Sequence, residues 1–154
     1  MIRILALVGG LTGAAGLSQF PEFSQQYLQR LAGQADALSE IVAAFDQSAE
    51  NAGLTREAAL AELSGTTFRD AHQEDMRGAI LRAAQVQGDL ALLRAATPLE
   101  RLALPHRFRD TETLQATWAD FRPAVPVTSE GLIATAVGFG VGWLAIGSAL
   151  RSLA

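Results

Sequence analysis

Residues 131–150 read GLIATAVGFGVGWLAIGSAL, a run without one charged side chain. As an α-helix it would be about 30 Å long, the hydrocarbon thickness of a bilayer. A helix apolar on every side has no polar face to turn to water, so the segment is read as a transmembrane helix. A second uncharged run, ILALVGGLTGAAGLSQF over 4–20, gives about 25 Å and spans with help from its flanks. It competes with a secretory-signal reading, in which Arg3 is the charged start and Thr12-Gly13-Ala14 a small-x-small cleavage site. The apolar run continues past that site to Phe20, which favours a retained span.

These two ends account for a mean hydropathy of +0.20 in a chain with only 18% charged residues. Between residues 18 and 130 lie ten arginines and all 16 acidic residues, so the middle carries a net charge of −6. Arg3 and Arg151 sit on the far side of each run from that middle. Arginine is enriched on the side that is not translocated, so both termini are expected in the cytoplasm and the middle in the periplasm. The expected fold is all-α: transmembrane helices over 1–20 and 129–151, joined by an extramembrane antiparallel helical hairpin within 21–128.

The hairpin is read from periodicity. Phe23, Tyr27, Leu31, Leu38, Ile41, Val42, Phe45 and Ala49 recur at helical spacing, with Gln25, Gln29, Asp36, Glu40 and Gln47 on the polar face. NAGLT at 51–55 ends that helix, with Gly53 as a left-handed cap and Thr55 starting a short helix that carries Leu60 and Leu63. SGTT at 64–67 is the next break. Met76, Ala79, Ile80, Ala83, Val86, Leu90 and Leu93 then form a second stripe, and the two bury best as a pair with coiled-coil-like packing. Thr97-Pro98-Leu99-Glu100 has the form of a capping box ahead of a helix that Pro105 ends, and Asp110 caps one carrying Leu114, Trp118 and Phe121.

Two constellations stand out at the ends of the spans. Phe20, Pro21, Glu22 and Phe23 follow the first, while Trp118, Phe121, Arg122 and Pro123 precede the second. Aromatic rings favour the membrane interface, so these residues are expected to form a collar at one bilayer surface, with Glu22 and Arg122 paired within the chain or between copies. Pro123 and Pro126 bias RPAVPV at 122–127 toward extended backbone, with Thr128 or Ser129 capping the second span. Inside the spans, Gly9 and Gly13, and Ala134, Gly138 and Gly142, lie four residues apart. Small residues at that spacing let helix backbones approach in lipid, within one chain, between chains, or both.

Chemistry-bearing patterns are sparse. With no cysteine, thiolate catalysis, disulfides and iron–sulfur sites are excluded. His72 has no second ligand at metal spacing, and no nucleophile elbow, phosphate loop or dinucleotide fingerprint occurs. His106, Arg107 and Arg109 around Phe108 form a short basic cluster suited to lipid phosphate or an acidic surface. It is too short, in an acidic chain, for nucleic acid. No charge lies inside either span, which argues against a transport or proton pathway. No cofactor is expected, and the chain reads as non-enzymatic.

With FPEF at 20–23 and WADFRPAVPVT at 118–128 as its most specific parts, the whole sequence resembles domain of unknown function 2937, a family of small bacterial membrane proteins. The resemblance implies a two-span protein of the bacterial inner membrane and carries over no catalytic residues. The expected role is a structural scaffold that self-associates through the glycine faces and the hairpin. The alternatives are an accessory subunit of a larger respiratory or photosynthetic membrane complex and, from a third class, a lipid-handling or transport protein with a groove between its helices. The expected partners are the lipid bilayer and either further copies of the chain or other membrane subunits.

Overall fold

Proline supplies the first break. Without an N–H, Pro21 cannot continue the hydrogen-bond ladder of the helix before it, whereas in the first turn of a new helix none is needed. In the computed structural model, which describes residues 2–123 and 128–152, α1 (Ile2–Ser18) accordingly ends two residues before α2 (Phe20–Asn51) takes Pro21 into its first turn. Gln19 is the only residue between them, and its carbonyl accepts from Phe23 N at 2.9 Å. The first span is therefore shorter than its uncharged run, and Phe20 opens the next helix.

The later elements are α3 (Arg56–Glu62), α4 (Thr67–Ala95), 3-10 turns at Glu100–Ala103 and Pro105–Arg107, α5 (Thr111–Asp120) and α6 (Ser129–Ser152). No strand occurs among the described residues. Local chemistry sets most of these boundaries. Gly53 takes φ 71° after α2, a left-handed conformation that a side chain disfavours. Thr55 Oγ1 accepts from Ala58 N at the start of α3, and Asp110 Oδ1 accepts from Thr113 N at 3.0 Å at the start of α5. The capping box forms, with Thr97 N donating to Glu100 Oε2 at 2.8 Å and Glu100 N to Thr97 Oγ1 at 3.3 Å. It opens a 3-10 turn instead of an α-helix. The two hydrogen bonds from Thr97 hold the Glu100 carboxyl below its ordinary range. Pro105 opens a second such turn in its own right.

Contacts divide the chain into two units. One takes the chain up to Leu28 and from Ala95 onward, and the other is Gln29–Arg94. The segment 21–128 thus contributes to both. In the second unit, α2 buries Leu31, Ala35, Leu38 and Ala49, α3 buries Leu60, and α4 buries Ala83, Val86, Leu90 and Leu93. Spacings of three and four on α2 and α4 give each helix a continuous apolar seam. Ile41, expected in the α2 stripe, is instead 47% exposed, because the rhythm 31–35–38–42–45–49 selects its neighbour Val42. Gln87 Nε2 donates to Ser39 Oγ at 2.6 Å, and Gln73 Nε2 to Leu60 O at 2.6 Å. Arg56 clasps Asp46 with Nε on Oδ1 at 2.7 Å and Nη2 on Oδ2 at 2.5 Å, and the guanidinium holds that carboxyl below its ordinary range.

In the first unit, α1 and α6 pack against each other. Gly9 meets Gly142, while Gly13 meets Gly138, so α6 descends as α1 rises and the pair is antiparallel.

Candidate functional site: an aromatic pocket beside the glycine pair

The α1–α6 contact is backbone on backbone. A Cβ placed on Gly142 would overlap the carbonyl oxygen of Gly9, and one on Gly13 would overlap that of Gly138. Ala134 is fully buried one turn before Gly138, and Ala6 and Ala14 are buried on α1. The five small residues expected at a helix interface thus face into this unit. They are used within the chain, which is one of the alternatives that sequence spacing left open. Gly10 faces the Phe139 ring, whose Cε2 would lie 2.8 Å from an added Cβ.

At the end of α1 the packing opens into a cavity of about 520 Å³. Gly16 and Gln19 form one side and Phe20 and Phe23 of α2 another. Pro105 and Phe108 of the second 3-10 turn, with Leu114, Trp118 and Phe121 in and just beyond α5, complete the wall. The walls follow from local sequence. The Asp110 cap fixes where α5 starts, and positions 114, 118 and 121 then share a face at spacings of four and three. Phe108 closes its turn by donating N–H to Pro105 O at 3.1 Å, which brings Pro105 and Phe108 to one side.

The expected collar aromatics do meet. Phe23 lies 5.9 Å from Trp118 at 67° and 5.5 Å from Phe121 at 77°, both edge-to-face arrangements that suit ring quadrupoles. Phe20 lies 5.8 Å from Phe108, whose other neighbour, at 4.8 Å, is the fully buried ring of Tyr27. Trp118 remains 73% exposed, so the cavity opens on its side.

The polar half of the collar differs from expectation. Within the chain Glu22 and Arg122 form no ion pair. Glu22 Oε1 instead accepts from Gln26 Nε2 at 2.9 Å, one turn along α2, and Arg122 is exposed. Phe121, which closes α5, is extended, at φ −60° and ψ 126°. The rest of the expected extended stretch, 124–127, lies outside the described residues. Thr128 is the cap of α6, its Oγ1 accepting from Gly131 N at 3.1 Å, while Ser129 Oγ turns to Glu130.

Sequence reasoning missed Arg101. It is buried beside the aromatic wall, with Nη1 3.4 Å from Ser24 Oγ and 3.5 Å from Gln25 Oε1, and burial draws its pKa below the ordinary arginine value. Arg101→Met should lower the unfolding free energy by about 2 kcal/mol, read as an earlier thermal loss of helical signal in mild detergent. An unchanged midpoint would mean that the guanidinium holds nothing in place.

His72 stacks on Phe68 with centroids 6.4 Å apart, and no cluster of metal-ligating side chains occurs among the described residues. A family model described as protein of unknown function, DUF2937, matches residues 1–154. No curated protein and no solved structure matches the chain.

Proposed function

We propose a function for this chain, which belongs to the DUF2937 family: a non-enzymatic scaffold of the bacterial inner membrane that self-associates through its helical hairpin. The helical stretch Arg3–Asn51, which begins with α1 and runs on into α2, and the stretch Ser129–Leu150 of α6 are long and apolar enough to cross a bilayer, and only 22% and 17% of their apolar windows are buried. The core helix of a soluble protein would be mostly buried, whereas Ile4, Val8 and Leu11 on α1 and Leu132, Val141 and Leu144 on α6 are at least half exposed. Lipid is the solvent that suits such a surface. The outermost charges Arg3 and Arg151 support a topology with both termini in the cytoplasm and the hairpin in the periplasm. The hydrogen bond from Gln87 to Ser39, on either side of the turns at 52–66, supports an antiparallel arrangement of α2 and α4.

The observation that carries self-association is a second stripe on α4. At 100° per residue, Leu81, Ala84, Gly88, Ala91 and Ala95 fall on the side opposite the buried seam, at spacings of three and four, and Leu92 adjoins them. All six are exposed, Leu81 at 72%. Glycine and alanine between flanking leucines leave room for a second helix at close range. The glycine faces of the spans, being closed within the chain, favour neither self-association nor the accessory-subunit reading.

Native mass measurement in mild detergent tests the proposal. The unaltered chain should run as a homo-oligomer, and Leu81→Glu with Leu92→Glu should run as a monomer with its helical content retained. A monomer under every condition would sink the scaffold reading, and foreign subunits that co-purify in fixed ratio would replace it with the accessory one.

A further inference from the structure

We infer that the aromatic pocket holds an acyl chain of one anionic phospholipid, with the Arg122 guanidinium on its phosphate. The inference rests on the proposed membrane placement of α1 and α6 and not on self-association. The cavity, at about 520 Å³, falls in the range of about 300–1,000 Å³ usual for small-molecule sites. Its side chains are apolar apart from the Trp118 indole N–H at the mouth and the Gln19 amide, which is already engaged, Nε2 donating to Ser18 Oγ at 3.1 Å. Such a wall is poor at orienting a polar ligand. It suits a flexible hydrocarbon, which gains about 0.8 kcal/mol for each methylene it buries.

Position selects a lipid over a free apolar molecule. Gly16 belongs to the last turn of α1, so the cavity lies at the end of the helix whose exposed Val8 and Leu11 meet the acyl chains in the proposed placement. Trp118, exposed at the mouth, has the apolar body and N–H donor that suit the headgroup level. Arg122 is next in sequence to the wall residue Phe121 and is exposed. Glu22 is already turned to Gln26, and Arg122, one residue beyond Phe121 on extended backbone, makes no ion pair among the described residues. A guanidinium so placed offers a fork of N–H donors to a phosphate.

The test uses Trp143→Phe, which leaves Trp118 as the single tryptophan, in vesicles of phosphatidylcholine holding a low mole fraction of phosphatidylglycerol brominated along its chains. Bromine quenches indole on contact. Quenching should saturate at about one lipid per chain and exceed that by brominated phosphatidylcholine. Nothing lies within 4 Å of a Cβ built on Gly16, so Gly16→Leu fills the cavity without disturbing the helix and should weaken the effect about tenfold, the loss of roughly two buried methylenes. Arg122→Gln should make the two lipids equal. Equal quenching in the unaltered chain and Gly16→Leu overturns the pocket, and equal quenching by both lipids in the unaltered chain overturns its anionic headgroup. Carbonate extraction before the assay separates the premises. Release from the membrane overturns placement and pocket together, whereas retention with equal quenching overturns the pocket alone.

Discussion

Gly13→Leu should part α1 from α6. A Cβ at Gly13 overlaps the Gly138 carbonyl oxygen and sits 3.3 Å from Gly142 Cα, so the obstacle is backbone and no rotamer relieves it. Overpacking a tight core costs about 1–3 kcal/mol, and here, where two helix axes must separate, about 3 kcal/mol or more is expected. The absence of native cysteine makes this measurable. A Cβ on Gly147 would lie 3.8 Å from that of Ala6, the mean separation across a disulfide being about 3.8 Å. Ala6→Cys with Gly147→Cys should therefore crosslink within one chain when membranes are oxidised. Adding Gly13→Leu should cut the yield about tenfold or more, while adding Gly140→Leu, at a position with open space around it, should leave it unchanged. Undiminished crosslinking with Gly13→Leu would show that the glycines do not set the approach of the two helices.

Tyr27→Ala should cause the largest loss of stability outside the spans. The ring is fully buried and lies 4.8 Å from that of Phe108, tilted by 38°, and Phe108 in turn meets Phe20. Emptying such a site costs about 3–5 kcal/mol, a fall in thermal midpoint of more than about 10 °C for a unit this size. Tyr27→Phe keeps the ring and should fall much less. A midpoint for Tyr27→Ala within about 2 °C of the unaltered chain would mean that the aromatic wall stands without its buried anchor.

Much of this fold was legible because helices announce their ends. Gly53, Thr55, Asp110 and Thr128 act through bonds to residues at most a few positions away, and a spacing rule sees that far. Uncharged length was enough to find α1 and α6, and the four-residue rhythm found the glycines. What rhythm could not say is which helix each glycine would meet, since packing within a chain and between chains make the same demand on spacing. The Glu22–Arg122 pair was expected from opposite charge at one level of the collar, and within the chain a nearer amide, Gln26, takes the carboxylate. The pocket was half visible. Phe20, Phe23, Trp118 and Phe121 were found as a collar, whereas Phe108 looked like part of a basic cluster and Arg101 matched no pattern. Both lie in or beside 3-10 turns, too short to show a period, and their partners on α2 are about 80 positions earlier in the chain.

The glycine contact also determines how this sequence can drift. Glycine is the smallest residue, so at positions 9, 13, 138 and 142 every substitution adds atoms where another backbone already lies. A leucine core can change by a methylene at a time and repack, but here there is no smaller step to take and no intermediate to select. Gly140 meets nothing within 4 Å and is free to vary. Among descendants of this chain, glycines 9, 13, 138 and 142 should not change while Gly140 changes readily, and that division would trace the line along which the two helices touch.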